Sequence, residues 1–161
     1  MKIYLRIMVR LARPLIGRKV PKDLALILPR LPRFTKEEEI VAREFIKQMN
    51  WDGEYWFDVH IPSEKAKWVV NAPPNFKYMW EMQTAKRIDM VILTDRDVKI
   101  VEVKRLMLSS GIGQLLLYKD MFREYYKPDK SIELWYAVYY WDPDVAKKCE
   151  REGIKWWSYI K

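Results

Sequence analysis

The sequence predicts an α/β domain in which helices flank a mixed β-sheet. Short runs rich in β-branched and aromatic residues alternate with segments of helical periodicity between residues 35 and 160. Their order is a helix, a β-meander, a helix, a strand, a helix and a strand, with no internal repeat and no low-complexity tract. This order is typical of an α/β domain with strands of mixed direction.

The first helix of this domain is predicted from Thr35 to about Asn50. Thr35 and Glu38 fit a capping box, in which each side chain satisfies a backbone N–H of the other residue. Apolar residues then recur at helical spacing and predict a face that packs on the core: Ile40, Val41, Phe45 and Met49.

The meander is predicted from three strand-like segments. Residues 54–61 form the first strand, which Pro62 ends, and residues 67–70 form a short second strand. A loop over residues 71–77 follows because Pro73 and Pro74 break regular structure. The last segment is a hairpin with strands at 88–93 and 98–104, joined by the polar turn 94–97.

The C-terminal part is predicted to add two helices and two strands. Ser109-Ser110, with Gly111 and Gly113, opens a helix that runs to about Tyr126. Strands are expected at 132–140 and 154–159. The helix between them begins at Asp142-Pro143, an N-cap followed by proline at the first helical position, and Gly153 ends it.

The basic excess of the chain lies in its first 33 residues. Nine lysines and arginines and one acid, Asp23, account for the whole net charge of +8, and the remaining residues are neutral. We therefore divide the chain into a basic arm over residues 1–33 and a domain over residues 34–161. Such arms usually bind polyanions.

The arm is predicted to contain a helix over residues 1–13 and an irregular, proline-rich strap over 14–33. Lys2, Arg6, Arg10 and Arg13 fall on one face of that helix, which would lie on an anionic membrane surface or dock on the domain. Arginines interrupt its apolar stretch, so a secretory signal is not expected. Since no run of eighteen apolar residues exists either, we expect a cytoplasmic protein without membrane attachment.

The residue counts exclude several kinds of site. Cys149 is the one cysteine and His60 the one histidine, so disulfides, zinc–cysteine sites and multi-histidine sites are not expected. Catalysis would depend on carboxylates, lysine, hydroxyls and a hard metal ion. Few glycines and 32% charged residues suit a thermophilic protein.

Two carboxylates and a lysine in the hairpin form the candidate site. If the turn loop is Asp95-Arg96, Asp89 lies directly opposite Glu102, and Lys104 points to the same face because side chains alternate with a period of two. Opposed carboxylates repel, so the pair needs a compensating cation. A slip of one residue in the register of the two strands would turn one carboxylate to the other face of the sheet, and the site would not form.

The spacing of these residues resembles the PD-(D/E)XK nuclease motif. Asp89 is followed by twelve residues and then Glu102-Val-Lys104, and Ile88 stands where the motif has proline. Gln114 and Tyr118 resemble the Gln-x3-Tyr pattern of exonuclease-like branches. Glu37 resembles the first-helix glutamate of archaeal Holliday-junction resolvases, and Glu38 or Glu39 can fill that role instead.

The resemblance implies a restriction-endonuclease-like core over residues 35–160 and a metal-dependent DNA nuclease. Asp89, Glu102 and the Val103 carbonyl would bind Mg²⁺ or Mn²⁺, which accepts oxygen ligands. Lys104 would orient the attacking water, Gln114 would hold Lys104 or that water, and Glu37 would bind a second ion. The resemblance also implies a homodimer, and no small-molecule cofactor is expected.

Several residues around the motif are candidates for binding DNA. Lys86, Arg87 and Arg105 flank the hairpin and are predicted to contact phosphates, together with Tyr118. Tyr78 and Trp80 are the aromatic residues best placed to stack on unpaired bases, although aromatic residues more often pack in cores or interfaces.

Two other functions remain open at this stage. The chain can be a catalytically silent DNA-binding protein of the same fold, because fold does not determine function. It can also be a membrane-surface or assembly protein that uses the basic N-terminal helix. The sequence does not distinguish junction, flap, single-stranded or duplex DNA as the substrate.

Overall fold

The computed structural model describes residues 8–161 and has an α/β architecture built on one six-stranded sheet. A short 3₁₀ helix at Glu64–Trp68 supplements five α-helices in the described part of the chain. The strands are β1 (Ile16–Lys19), β2 (Glu54–Ile61), β3 (Lys86–Leu93), β4 (Asp97–Leu106), β5 (Ser131–Tyr140) and β6 (Ile154–Ser158). The helices are α1 (Lys22–Ile27), α2 (Lys36–Met49), α3 (Pro74–Thr84), α4 (Ser109–Tyr126) and α5 (Pro143–Arg151).

The sheet is mixed, as the sequence predicts. Its strands are ordered β1-β2-β3-β4-β5-β6. The first four pair antiparallel, while β4 with β5 and β5 with β6 pair parallel. The parallel pairs follow from α4 and α5, which carry the chain back to the starting end of the sheet between successive strands.

Helices cover both faces of the sheet and bury two hydrophobic clusters. On one face α2 places Phe45 and Ile46 against Phe57 and Ile92. On the other face lie α4 and α5, whose buried residues join those of the central strands: Leu115, Phe122, Ala146, Cys149, Ile100 and Val138. The sheet is therefore shielded on both sides, which explains the nearly continuous apolar runs of β3 and β4.

The predicted boundaries of α2 are confirmed at both ends. The Thr35 hydroxyl accepts a hydrogen bond from the Glu38 N–H at 3.3 Å, and the Glu38 carboxylate accepts one from the Thr35 N–H at 3.0 Å. Asn50 ends the helix in the left-handed conformation with φ of 47°. These caps fix the direction in which α2 enters and leaves the sheet face.

The predicted N-terminal helix is wrong for the part that the structure describes. Residues 8–13 are not helical, and two backbone hydrogen bonds hold them beside the C-terminal end of α4: Ala12 N–H to Tyr126 C=O at 2.7 Å and Asp129 N–H to Arg10 C=O at 3.1 Å. Residues 1–7 lie outside the described part of the chain. In residues 8–161 no helix has the length and apolar character needed to cross a bilayer.

The predicted irregular strap is also wrong, because residues 16–19 form β1 and residues 22–27 form α1. All four residues of β1 are exposed, so no alternation of apolar residues marks the strand in the sequence. The Arg43 side chain donates hydrogen bonds to the carbonyls of Ala25 and Leu28 and so attaches α1 to α2. The described part of the arm is thus integrated into the domain.

The connection between β2 and β3 differs from the prediction as well. Residues 64–68 form the 3₁₀ helix instead of leading into a strand at 67–70, and α3 occupies most of the predicted loop. Pro73 and Pro74 start α3, with Pro74 at its first position, where the missing N–H costs no hydrogen bond. The proline pair therefore starts a helix here.

An ion network lies at the opposite end of the sheet from the hairpin carboxylates. Glu133 on β5 accepts hydrogen bonds from Lys99 Nζ at 2.6 Å and from the Trp135 indole N–H at 2.8 Å, and it pairs with Lys155. Burial opposes ionisation of Glu133, but these three donors outweigh it and lower its pKa to about 2. Lys99 also pairs with Asp97 at 3.0 Å.

We expect Glu133 to stabilise the fold above about pH 5 and to lose this contribution as the pH falls. Its pKa is about 2 when folded and 4.5 in the reference state, so protonation favours unfolding between these values. Glu133→Gln should lower the free energy of unfolding by about 1–2 kcal/mol at pH 7 and much less at pH 2.5. Urea unfolding at both pH values measures this, and equal losses at both would contradict it.

Candidate active site

The hairpin between β3 and β4 has the register that the sequence predicts. The paired residues run from Leu93–Val98 to Met90–Val101, and the same register brings Asp89 to the level of Glu102. At the next step the Asp89 carboxylate accepts the Val103 N–H at 2.8 Å. Because the N–H and C=O of a strand residue point to the same side, the Val103 carbonyl also faces β3 at this level.

The three predicted catalytic residues lie together at this point. Lys104 Nζ is 2.7 Å from Glu102 Oε1 and 3.7 Å from Asp89 Oδ2. Asp89 and Glu102 are buried, and only 1% of Glu102 is accessible, whereas the Lys104 side chain is 35% exposed. The ammonium group supplies the cation that the carboxylate pair needs and also reaches solvent.

Burial controls the electrostatics of the pair. It raises the pKa of Glu102 to about 7, and the Asp89 charge adds to this effect. Burial also raises the pKa of Asp89, against the opposing influence of Lys104 and the Val103 N–H. For Lys104 burial acts to lower the pKa, but Asp89 and Glu102 outweigh it and raise it. The site therefore combines two acids whose pKa values are raised with one lysine that stays protonated.

The donor set fits a hard divalent cation. The buried Glu102 Oε2 atom has no hydrogen-bond partner in the described part of the chain. Within residues 8–161 no three histidine, cysteine or acidic side chains converge on one point. Mg²⁺ typically takes one or two carboxylates and keeps several waters. Asp89, Glu102 and the Val103 carbonyl meet that requirement.

A bend in β2 lies beside the site. Asp58 has a φ of 52° and falls between the pairs Phe57–Met90 and Val59–Ile88, at the level of Asp89. Phe57 and Val59 are two residues apart but belong to opposite hydrophobic clusters. The normal alternation of faces is thus interrupted at the position next to Asp89.

The Asp58 carboxylate collects three cationic or polar partners. It accepts hydrogen bonds from Arg87 at 2.8 and 2.5 Å and from Arg33 at 3.2 Å, and His60 Nε2 is 3.4 Å away. Burial opposes ionisation of Asp58, but the Arg87 hydrogen bonds and charge outweigh it and lower its pKa. Arg87, predicted to contact phosphate, is therefore engaged in a bidentate pair with Asp58.

Arg33 is a site residue that the sequence analysis missed. Its charge helps to lower the pKa of both Asp89 and Glu102, although burial is the larger influence on each. Its side chain is part exposed beside Asp58. Arg33 falls within the predicted arm, and no local pattern in that proline-rich segment indicates that its last arginine lies beside Asp58.

Among the glutamates at the start of α2, Glu38 acts on the charges of the site. Its charge contributes to raising the pKa of Asp89 and of Lys104, after the stronger influences of burial and of the nearer charges. The assignment of Glu37 to a second ion stays a prediction. Glu39 pairs with Arg43 at 2.5 Å. Glu38 is also the capping-box residue, so its position is fixed by the start of α2.

The helix α4 places Gln114 and Tyr118 on the same face of the sheet as the triad. A side chain at Gly111 would come within 2.3 Å of the Tyr136 ring, so glycine allows the first turn to approach β5 closely. Gln114 lies in the following turn of α4 and is half-buried. Tyr118 is buried, and burial followed by the charges of Glu102 and Asp89 raises its pKa to about 12. Tyr118 thus packs behind the acids and is not a surface contact for DNA.

The remaining predicted DNA contacts lie on β3 and β4, the strands that carry the triad. Lys86 is half-buried and pairs with Ile61 at the beginning of β3. Arg105 is exposed next to Lys104. Neither side chain forms an ion pair with the residues that the structure describes. Both cations are therefore accessible to an anionic ligand.

We expect ionisation of Glu102 to destabilise the fold. Its pKa is about 7 in the folded protein and 4.5 in the reference state, so the stability it contributes is complete below pH 4.5 and is lost as the pH rises through 7. Glu102→Gln should therefore raise the free energy of unfolding by about 1–3 kcal/mol at pH 8 without added metal. Urea unfolding in a chelator measures this, with pH 4 as the control. A variant less stable than the parent at pH 8 would contradict the prediction.

Comparisons with known protein families, with curated proteins and with solved structures found no match to this chain.

Proposed function

We propose that the chain is a metal-dependent DNA nuclease with a restriction-endonuclease-like core. The observation that carries this proposal is the buried pair of Asp89 and Glu102, bridged by Lys104 at the edge of solvent. The pair lies at the point where β3 and β4 stop pairing, so that carboxylate and carbonyl oxygens face one gap.

The cost of this arrangement supports a chemical role. Two acids are buried beside one lysine, and Glu102 Oε2 has no protein partner in the described chain. Replacing such groups with apolar residues would commonly stabilise a protein. Retaining groups that reduce stability is typical of sites where activity needs them.

Asp89, Glu102 and the Val103 carbonyl would hold Mg²⁺ or Mn²⁺. The bound ion would supply an acidified water and neutralise charge on the phosphate. Lys104 donates hydrogen bonds and a fixed positive charge, which orient the water and stabilise the anionic transition state. Gln114, half-buried on α4 above the same face, is available to orient that water or Lys104.

The binding of DNA would use the cations on the strands that carry the triad. Lys86 and Arg105 form no ion pair within the described chain, while Arg33 and Arg87 both bind the Asp58 carboxylate and keep the bend of β2 in place. Each phosphate neutralised by such a cation steepens the dependence of log affinity on log salt by about 0.9. Weak binding at high salt would accompany this mode.

We expect Lys104→Ala to abolish cleavage of DNA while binding persists. Its ammonium group lies 2.7 Å from Glu102 and is the one cation in direct contact with that buried acid among the described residues. Removing a group that stabilises transition-state charge typically lowers kcat about 100- to 1,000-fold. Single-turnover cleavage of labelled junction, flap, single-stranded and duplex DNA with Mg²⁺ or Mn²⁺ measures this.

The matched control is Lys47→Ala, which removes the same charge from an exposed position on α2. Cleavage that survives in Lys104→Ala, or that falls equally in both variants, would contradict the assignment. DNA binding by the parent protein without cleavage in either metal would identify a catalytically silent protein.

We also expect the affinity for Mn²⁺ to rise with pH up to about 7. Below this value Glu102 is protonated, so binding of the cation must displace a proton. The binding constant should increase about tenfold per pH unit between pH 5 and 6.5 and level off above pH 7.5. Isothermal titration calorimetry measures both the constant and the proton release. A flat profile in the parent, or an unchanged profile in Glu102→Gln, would show that the ion binds elsewhere.

A further inference from the structure

A helical excursion, which we call the flap, projects from the sheet beside the candidate active site. The flap comprises residues 62–85, with the 3₁₀ helix and α3. It leaves β2 after Ile61 and returns at Lys86, and these two residues are cross-strand partners. The whole segment is therefore anchored at one point of the sheet.

The flap has little support from the rest of the domain. No residue of the 3₁₀ helix or of α3 is buried. Its internal contacts include the Trp80 indole N–H, which donates to the Lys65 carbonyl at 2.8 Å. Helices of about 12 residues or fewer are marginal in water without packing. A helix of 11 residues with an uncovered surface thus requires a partner.

The uncovered surface is aromatic and basic. Trp68 is 71% exposed and Tyr78 is 63% exposed. Phe76 and Met79 on α3 are also exposed. The exposed apolar surface of the flap is therefore larger than that of a single surface residue. Lys65 lies over the Trp68 ring at 5.7 Å, and Lys77 lies between Phe76 and Tyr78 in the chain.

The flap begins close to the carboxylates. Asp89 is three residues from Lys86 along β3, a distance of about 10 Å at 3.3 Å per residue. A nucleic acid chain whose phosphate lies at the site would therefore pass the base of the flap.

We propose that the flap stacks unpaired bases of DNA next to the scissile phosphate, so that the preferred substrate contains a single-stranded stretch. This inference rests on the proposed nuclease function. Aromatic rings beside lysines are the combination that holds single strands, because each base offers a face for stacking and each linkage offers a negative charge. Base edges are not read in this mode, so little sequence preference is expected.

The charge of the flap favours this occupant over a second copy of the chain. Within the flap three lysines, Lys65, Lys67 and Lys77, outnumber the two acids, Glu64 and Glu81, and Lys86 follows at its base. Lys67 pairs with Glu64 at 2.6 Å, which leaves Lys65, Lys77 and Lys86 against Glu81. Two such flaps packed on each other would bring like charges together, whereas a phosphodiester chain is complementary to them.

The test is the double variant Trp68→Ala/Tyr78→Ala, which removes two exposed rings without changing the charge. Its matched control is Tyr159→Ala, an exposed tyrosine beyond β6 at the opposite edge of the sheet from the flap. Fluorescence anisotropy in Ca²⁺ measures the Kd for a duplex, a single strand and a duplex with a single-stranded arm. Cleavage is measured in Mg²⁺ on the same DNAs.

We expect the double variant to bind the single strand and the armed duplex at least tenfold more weakly, with duplex binding changed less than twofold and an unaltered salt slope. The control should behave like the parent.

Three outcomes would overturn the inference: equal loss on all three DNAs, no loss on any of them, or a parent dimer that the double variant dissociates without a change in DNA binding. Cleavage with no preference for single-stranded regions would overturn it and leave the nuclease intact. Flap-dependent binding without cleavage in any metal would instead retain the stacking surface and reject the nuclease.

Discussion

The hydrogen bond from the Val103 N–H to the Asp89 carboxylate is the interaction on which the site depends. It occupies the place where the next backbone hydrogen bond between β3 and β4 would form. The two strands therefore stay joined although their backbone-to-backbone hydrogen bonds end there. Without it a buried N–H would be unsatisfied, which costs about 1–3 kcal/mol. The same bond fixes the orientation of Asp89 and leaves the Val103 carbonyl beside it. One structural bond thus brings together the oxygens of the site.

The charged groups around this bond come from different segments and partly offset one another. Lys104 compensates two acids directly, Arg33 opposes part of the rise that burial causes in the pKa of both, and Glu38 adds to the rise for Asp89. These groups come from the hairpin, from the segment before α2 and from the capped start of α2. A carboxylate pair with pKa values raised by burial holds protons readily, and a divalent ion that bound there would displace them into solvent. The ion would then relieve the repulsion that the fold alone tolerates.

The sequence predicts those features that produce local periodicity. The hairpin register follows from alternating apolar residues around a short polar turn, and the start of α2 follows from Thr35 and Glu38. It does not predict α3, because a helix without a buried face has no apolar stripe that packs on the core, and the preceding prolines resemble a loop signal. The approach of Arg33 to Asp58 joins residues 25 positions apart through the bend of β2. No local pattern encodes such a contact.

The bend at Asp58 also explains why the chain before α2 and the flap lie at the same end of the sheet. A left-handed residue within a strand is strained by about 1–3 kcal/mol unless its surroundings hold it. Arg87 holds Asp58 from the neighbouring strand, and Arg33 holds it from the chain before α2. Three residues beyond the bend, β2 gives way to the flap. The strain therefore lies between the carboxylates and the flap, where a shift of the strand would alter the position of both. The Arg33 and Arg87 contacts to Asp58 therefore keep the flap and the carboxylates in a constant relation.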